Sequence, residues 1–592
     1  MPDWSYHGIF KPVLSKLPAY VSREIIHRGM STIASLPLGP NIIHFLGREE
    51  CSPLLYQQIK RMEFTNPVGL SGKIDPLLTG TSAFVHLGFG FIEIGPVTLH
   101  TSSESAYPDA YHNEQRIQFS DPLESIGLKR TLEKLKKIRK KQPFIIRLSG
   151  TPQEISIMME KLDELSDGYI VEGEEIPATI NSDKPIFISN PTLELLYQLS
   201  GEDITGIVVE ENDINILLST VRSYKKEIPS LSIITSGGVR EPGQALSLLS
   251  AGADLLLLSD AYVFSGPGLT KRINEALLDD LNDQLPPSNG WKSYWYFGLF
   301  IFIGGLLAFL FSLTSVILPY DELYLGMKRE SIAGFNDRIV KFMAHDRMTL
   351  AGTMISGGIV YMQLSFHGVK RGLLWAKRSI DIAAITGFLG IFLFIGYGYF
   401  DWLHLLFWVV LLPFYVYGWI HTREINGTPS SGNRRNHTIW MQSLYGQLAF
   451  VVLGFSFVLG GLVISYLGIT SVFVPTDLLY LCMPPEILHE FNQNLIPVIA
   501  HDRAGFGSAL LSVGLLVLTL SLWGFQQGNK WVWRTLLIGG LPAFISGIYI
   551  HFAIGYTSFI HLLPAYFAIG LFLIGLVKTY SFFYKDRDDD ER

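Results

Sequence analysis

Charge is scarce in this chain of 592 residues: Asp, Glu, Lys and Arg make up only 17%, against about 25% in ordinary soluble proteins. Cysteine is nearly absent. Cys51 and Cys482 are the only two, which excludes a disulfide scaffold. There is no basic excess either. The formal net charge is −7 and the isoelectric point near 6.1, so nothing electrostatic points to nucleic acid. Residues 1–290 lack any apolar run of 18, and the opening MPDWSYHGIFKP has no apolar core of a signal peptide. What the chain has in plenty is apolar: 48% hydrophobic residues, 13% aromatics, 56 glycines and a mean hydropathy of +0.29. Such a composition excludes disorder and points to membrane segments.

The apolar residues are concentrated after Trp291. Tyr294–Leu318 alone is long enough to cross a hydrocarbon core of about 30 Å. Eight such spans are expected, near 294–318, 344–366, 380–400, 402–421, 445–468, 502–524, 535–556 and 559–580. The expected organisation is an N-terminal helical extension (1–65), a soluble domain (66–285), a linker (286–293), two membrane repeats of four spans (294–437 and 438–584) and a charged tail (585–592). With the soluble domain inside, the inner loops carry Lys370, Arg371, Lys377 and Arg378, then Arg423, Arg434 and Arg435, then Lys530 and Arg534. That follows the positive-inside rule, so an integral cell-membrane protein with both termini cytoplasmic is expected.

The membrane half matches itself at an offset of 156 residues, where 314–347 lies on 470–503 without gaps. Shared residues include Pro319 and Pro475, Asp321 and Asp477, Asn336 and Asn492, and the Ala-His-Asp-Arg tetrapeptides 344–347 and 500–503. At an offset of 157, Gly398-Tyr399 pairs with Gly555-Tyr556 and His404 with His561. An even number of spans per repeat brings the polar residues to the same outer face. His345, His404, His501 and His561, with Asp346 and Asp502, are therefore candidate ligands of a transition metal there. Proton transfer or quinone chemistry suits the same residues. Helix capping and helix–helix pairing are the plain alternative. Adjacent helix residues point about 100° apart, so His, Asp and Arg of one tetrapeptide cannot all face one ligand. His367, His421, His437 and His551 have no partner in the other repeat and are taken as incidental.

The soluble half alternates strand and helix signals. Candidate strands are 66–72, 91–99, 143–149, 168–173, 185–190, 206–211, 231–236 and 254–259, with amphipathic stretches such as 128–140 and 153–165 between them. Eight such units over about 220 residues indicate an α/β fold, a (β/α)8 TIM barrel. The fusion as a whole is thus a barrel joined to an all-α membrane domain of eight transmembrane helices in two four-helix repeats.

Two motifs in this half carry a resemblance. NPVGLSGKIDP (66–76) followed by HLGFGFIEIGPVTLH (86–100), and SGGVREPGQALSLLSAGADLLLLSDAYVFSGPG (236–268), resemble the start and end of a dihydroorotate dehydrogenase barrel of the membrane-associated, quinone-reducing class. LPAYVSREIIHRGMSTIASLP (17–37) is similar to that class's helical extension, which lies on the membrane and admits quinone. The resemblance implies FMN, with its phosphate at Ser236-Gly237-Gly238 and Ser259-Asp260, and its ring near Gly69, Ser71 and Gly72 with Glu93 and Thr98. Glycine-turn N–H groups at Gly237 and Gly238 suit a phosphate.

The chain also departs from that pattern. The substrate-binding lysine of the first motif is replaced by Pro76, and the glycine beside the flavin by Lys73. Ser189 stands for the lysine near the flavin, and Glu210-Glu211-Asn212 for the Thr-Asn-Thr of the sixth strand. The loop bearing the catalytic serine has no counterpart in 172–184. Glu172, Glu174, Glu175, Glu210, Glu211 and Asp260 make an acidic mouth that opposes an anionic cofactor. The expectation is a membrane-anchored flavoprotein-like oxidoreductase working with quinone or its own membrane domain. Its alternative is a pseudoenzyme barrel regulating an eight-span transporter, channel or sensor in the lipid bilayer.

Overall fold

The structure is a computed structural model that describes residues 2–585 apart from 49, 103–107, 121–122, 173–181, 199–203, 282–287, 391 and 393–398. The expected sites at Glu174, Glu175 and Gly398, and the tail from 586, lie outside the described residues. Two compact units are formed: Met1–Asp283 together with Thr428–Leu444, and Gln284–Gly427 together with Tyr445–Lys585.

In the first unit the strands are β1 (Val68–Leu70), β2 (Phe91–Val97), β3 (Phe144–Ser149), β4 (Gly168–Glu172), β5 (Ile186–Ser189), β6 (Gly206–Glu210), β7 (Ser232–Ser236) and β8 (Leu255–Leu258). They pair in parallel in sequence order and close into a barrel, β8 onto β1. Each of these eight barrel strands falls within its expected run, while the hairpins Gln57–Ile59 with Met62–Phe64 and Asp109–Tyr111 with Arg116–Gln118 were not expected. Because side chains alternate along a strand, Phe91, Ile145, Ile170, Phe187, Val208, Ile234 and Leu257 share one interior cluster, with Phe64 of a short hairpin beneath them. Val68, Leu70, Ile92, Ile146 and Val171 face outward into the larger core under the helices.

Numbering only helices of six or more residues, the first unit contains α1 (Ala19–Ser35), α2 (Gly39–Gly47), α3 (Gly127–Leu135), α4 (Pro152–Leu162), α5 (Leu193–Gln198), α6 (Ile214–Glu227), α7 (Pro242–Ser250) and α8 (Leu269–Asp280). Start signals are local: Thr151 and Glu154 form a capping box on α4, and Asp213 caps α6. Segment 428–444 packs on the barrel. Arg434 bonds Asp279 and Asp280, Asn436 bonds the Arg240 carbonyl and Glu241, and the Trp440 ring lies 4.3 Å from the buried Arg272 guanidinium.

The second unit is all helix: α9 (Trp291–Leu313), α10 (Pro319–Leu325), α11 (Arg329–Gln363), α12 (Leu374–Gly390), α13 (Trp402–His421), α14 (Thr438–Ile469, from Tyr445 on), α15 (Pro475–Leu481), α16 (Pro485–Phe491), α17 (Leu495–Trp523), α18 (Lys530–Ile554) and α19 (Phe559–Tyr584). Among the described residues six are long and apolar enough to cross a membrane: α9, α13, α14, α17, α18 and α19. The expected spans 344–366 and 380–400 fall on α11 and α12. The first opens on His-Asp-Arg, and the described part of the second is a helix of 17 residues carrying Lys377, Arg378 and Asp381.

Candidate functional site

The barrel mouth follows from the same alternation that fills the interior. Two residues beyond each inward apolar side chain the next inward position is polar: Glu93, Arg147, Glu172, Ser189, Glu210, Ser236 and Ser259, with Ser71 two residues beyond Gly69 on β1. Arg147 is wholly buried at their centre. Its guanidinium binds Glu93 through Nε, Glu172 at 2.8 Å and Ser189 at 3.1 Å through Nη1, and Glu210 at 2.5 Å through Nη2. Lys73 adds a second cation on Glu210 at 2.6 Å. Burial alone would raise the Glu210 pKa, but Arg147 and Lys73 outweigh it and hold the carboxyl below its usual range. Within the barrel two cations thus serve three carboxylates, and of the expected acidic mouth Glu172 and Glu210 are paired.

These partners occupy the positions that the resemblance gives to a flavin. Ser71 Oγ and Gly72 N–H both donate to Glu93 Oε2, at 2.8 and 2.9 Å. Gly69 packs against the Phe91 ring, where an added Cβ would lie 2.5 Å from it. Thr98 is apart, bonding His100 and Ser125 at the end of β2. At the phosphate end Gly237 and Gly238 keep the turn, with φ of +96° and +69°. Yet the Gly238 N–H donates to Asp260 Oδ1 at 3.3 Å, and Ser259 is buried beside it. Burial pushes the Asp260 carboxyl up. A carboxylate thus already sits on a donor that a phosphate would need, and two anions cannot share it at close range. With Asp260 ionised, the residues present do not fit FMN.

Beside this end lies an apolar cavity of about 150 Å³, lined by Ile26, Met30, Phe84, Leu87, Phe119, Tyr262 and Phe264, and with Lys73 and Ile74 at its edge. His27 closes it against the buried Asp75, Nδ1 to Oδ1 3.3 Å. The flanking extension exposes Ile9, Phe10, Val13, Ile25, Leu36, Leu38 and Ile42. An apolar face of that extent marks a contact surface.

The polar core of the second unit is built on two turns. In the first, Asp321 accepts from Leu318 N–H, from Arg347 at 2.7 Å and from the Tyr399 hydroxyl. The same set recurs 156 or 157 residues on: Asp477 accepts from Val474 N–H, from Arg503 at 2.5 Å and from the Tyr556 hydroxyl at 2.7 Å. Each arginine also crosses over. Arg347 reaches Asp502 at 2.7 Å, and Arg503 reaches Asp346 at 3.3 Å. Both bond the carbonyl of a left-handed valine, Val316 at φ +55° and Val472 at φ +62°. A β-branched residue is strained there, and the arginine bond fastens the turn.

The tetrapeptides diverge as helix geometry requires: His345 turns one way, Asp346 and Arg347 others. The six sequence candidates do not line one site. The histidines fall into two groups of possible ligands, His345 with His551 and His561, and His404 and His501 with Asp401. Asp346 and Asp502 instead bond the Nδ1 atoms of His345 and His501, at 2.8 and 3.4 Å, and the crossing arginines. His551, set aside as incidental, is a member of the first group; this is a correction. Self-comparison of the sequence hides it because the residue 157 positions earlier is Phe394. Asp401 was also missed, although it stands three residues before His404 and caps α13. A cavity of about 290 Å³ reaches Asp401, His404, Arg347 and Asp502 from an apolar wall that includes Phe297, Phe388 and Trp408.

The relatives compared match the N-terminal part of the chain. No family model matches the chain. The dihydroorotate dehydrogenase (quinone) of Nautilia profundicola is 25% identical over 336 residues, covering 46% of this chain and 92% of the relative. That of Sulfurovum sp. is 24% identical over 340 residues, covering 47% and 94%. The solved structure of Eimeria tenella DHODH in complex with ferulenol covers 42% of this chain and 92% of its own, at 17% identity and a TM-score of 0.35. The N-terminal part of the chain is similar to quinone-dependent dihydroorotate dehydrogenase.

Proposed function

We propose that this chain is a membrane-embedded relative of the quinone-dependent dihydroorotate dehydrogenases whose barrel binds a quinone-like lipophile without flavin chemistry and regulates the membrane unit to which it is fused. The carrying observation is the Asp260 carboxylate on the Gly238 N–H, at the place the resemblance gives to a phosphate. The Arg147 ion cluster supports it at the ring end. An apolar cavity beside α1, by contrast, is open, and quinone stands in the relatives' name. The membrane unit is read as eight spans in two repeats, with α11 and α12 completing the six apolar helices and with the barrel and both termini cytoplasmic. The histidines and aspartates of its polar core are the working residues of that unit.

The test is the full-length protein purified in detergent, its visible spectrum and its flavin content after gentle extraction. A flavin-free protein is expected, with a short-chain quinone raising its melting midpoint and Met30→Trp, which fills the cavity, abolishing that rise. Stoichiometric flavin would overturn the reading. It would favour a divergent flavin oxidoreductase, for which the left-handed Gly237-Gly238 turn speaks. In that case Asp260 must be held neutral, and flavin should be retained better at acid pH.

A further inference from the structure

We infer that His345, His551 and His561 form a three-histidine site for a divalent transition metal within the membrane unit. The inference rests on reading that unit's polar core as its working part, and it is independent of what the barrel binds. The three residues come from α11, from the end of α18 and from the start of α19, and their nearest ligand atoms lie within 4.8 Å of one another. His345 and His551 are buried.

Proton bookkeeping carries the argument. His345 Nδ1 faces the Asp346 carboxylate at 2.8 Å, and His551 Nδ1 faces the Gly547 carbonyl at 2.5 Å. Both partners only accept, so each Nδ1 carries the hydrogen and each neutral ring presents a lone pair at Nε2. Those two Nε2 atoms are 3.0 Å apart. Two lone pairs at that distance repel unless a cation stands between them. His561 brings a third imidazole, its centroid 5.0 Å from that of His551 and 5.9 Å from that of His345, with Nδ1 near the Thr476 hydroxyl at 3.4 Å. An imidazole whose far nitrogen is held by a carboxylate, a carbonyl or a hydroxyl is the usual outer arrangement of a metal-binding histidine. Bonds of about 2.0–2.1 Å in tetrahedral geometry place nitrogens about 3.3 Å apart, within the range found here.

Three protein ligands leave the fourth tetrahedral position to water or another oxygen or nitrogen donor, as in catalytic rather than closed structural zinc sites. The second group, to which each half of the unit also contributes, is not equivalent. Ser558 takes the place of Asp401 in sequence, and Phe394 that of His551, so one group is all imidazole and the other contains a carboxylate. Three imidazoles suit zinc, copper, iron or nickel.

The experiment uses full-length protein with a tag free of histidine, stripped by chelator and titrated with Co2+. Ligand-field absorption, elemental analysis and displacement by Zn2+ are followed. One Co2+ per chain at this site is expected, and His551→Gln and His561→Gln should each weaken it by at least about 100-fold, the upper end of losses seen for outer-shell partners. His421→Ala, on the exposed end of α13, should bind as the parent does. No Co2+ binding would mean that a shared proton separates the two nitrogens, and would overturn the proposal. Binding that survives both Gln variants would place the metal elsewhere and would overturn it equally. Should a variant fail to elute as a single species, X-ray absorption of the Co2+-loaded parent decides: three imidazoles support the site, fewer overturn it. Flavin content of the same preparation reads the barrel separately.

Discussion

Arg147 is enclosed by three carboxylates, and its removal would leave them facing one another in the barrel. Burial alone would lower its pKa, but Glu93, Glu210 and Glu172 outweigh that and push it up. Breaking a buried ion cluster by deleting one partner costs about 3–5 kcal/mol, so Arg147→Met should lower the unfolding midpoint strongly in a thermal melt of the detergent-solubilised protein. Asp260 and Glu210 should respond to pH with opposite signs. The Asp260 carboxyl is raised in the fold, so the folded form holds its proton longer and stability falls as pH rises from the ordinary 3.8 through the raised value. Asp260→Asn should remove that decline and raise the midpoint at neutral pH. Glu210 is held low, so its contribution is complete above the ordinary value and is lost as the pH falls through the lowered one. Unfolding midpoints measured across the acid range in the parent and in Asp260→Asn would check both. The motif places Glu93 and Asp260 beside Ser71, Gly72, Gly237 and Gly238, but a sequence does not say which donor a carboxylate has taken.

At the scale of elements, local signals were sufficient where local chemistry sets the outcome. The capping box of α4 is written in four consecutive residues, and Thr151→Ala should cost about 1 kcal/mol, detectable as a small shift in the same melt. All eight strands were visible as β-rich runs, because a strand buried on both faces must be apolar along its length. The crossing arginines depend on something else. Arg347 and Arg503 each join their own turn to the aspartate of the other His-Asp-Arg segment. Arg503→Leu should therefore cost about 3–5 kcal/mol by leaving Asp477 and Asp346 without their cation. Adding Asp346→Asn to it should recover part of that loss, a non-additivity that a double-mutant cycle would read.

For the whole molecule, the contact most remote from any sequence signal is the seat of 428–444 on the barrel. Trp440 is 3% exposed and covers Arg272, whose guanidinium also bonds Asp3 and Asn436. Replacing a buried Trp by Ala costs about 3–5 kcal/mol, so Trp440→Ala should raise amide exchange in α8 while leaving the central strands protected. A run of residues between two apolar stretches gives no hint of such a partner, because the partner lies some 160 residues earlier in the chain. The sequence by itself determined the class of each half, since strand alternation and apolar length are periodic properties of neighbouring residues. It also determined the two repeats of His-Asp-Arg, as identity at a fixed offset. Only the tertiary structure decided that Arg147 binds Glu93, Glu172 and Glu210 together, that Asp260 occupies the glycine turn, and that His551 rather than His404 or His501 joins His345 and His561. Those outcomes depend on which distant side chains share a few ångströms. Electrostatic and ligand geometry act at that range, and chain order does not encode it.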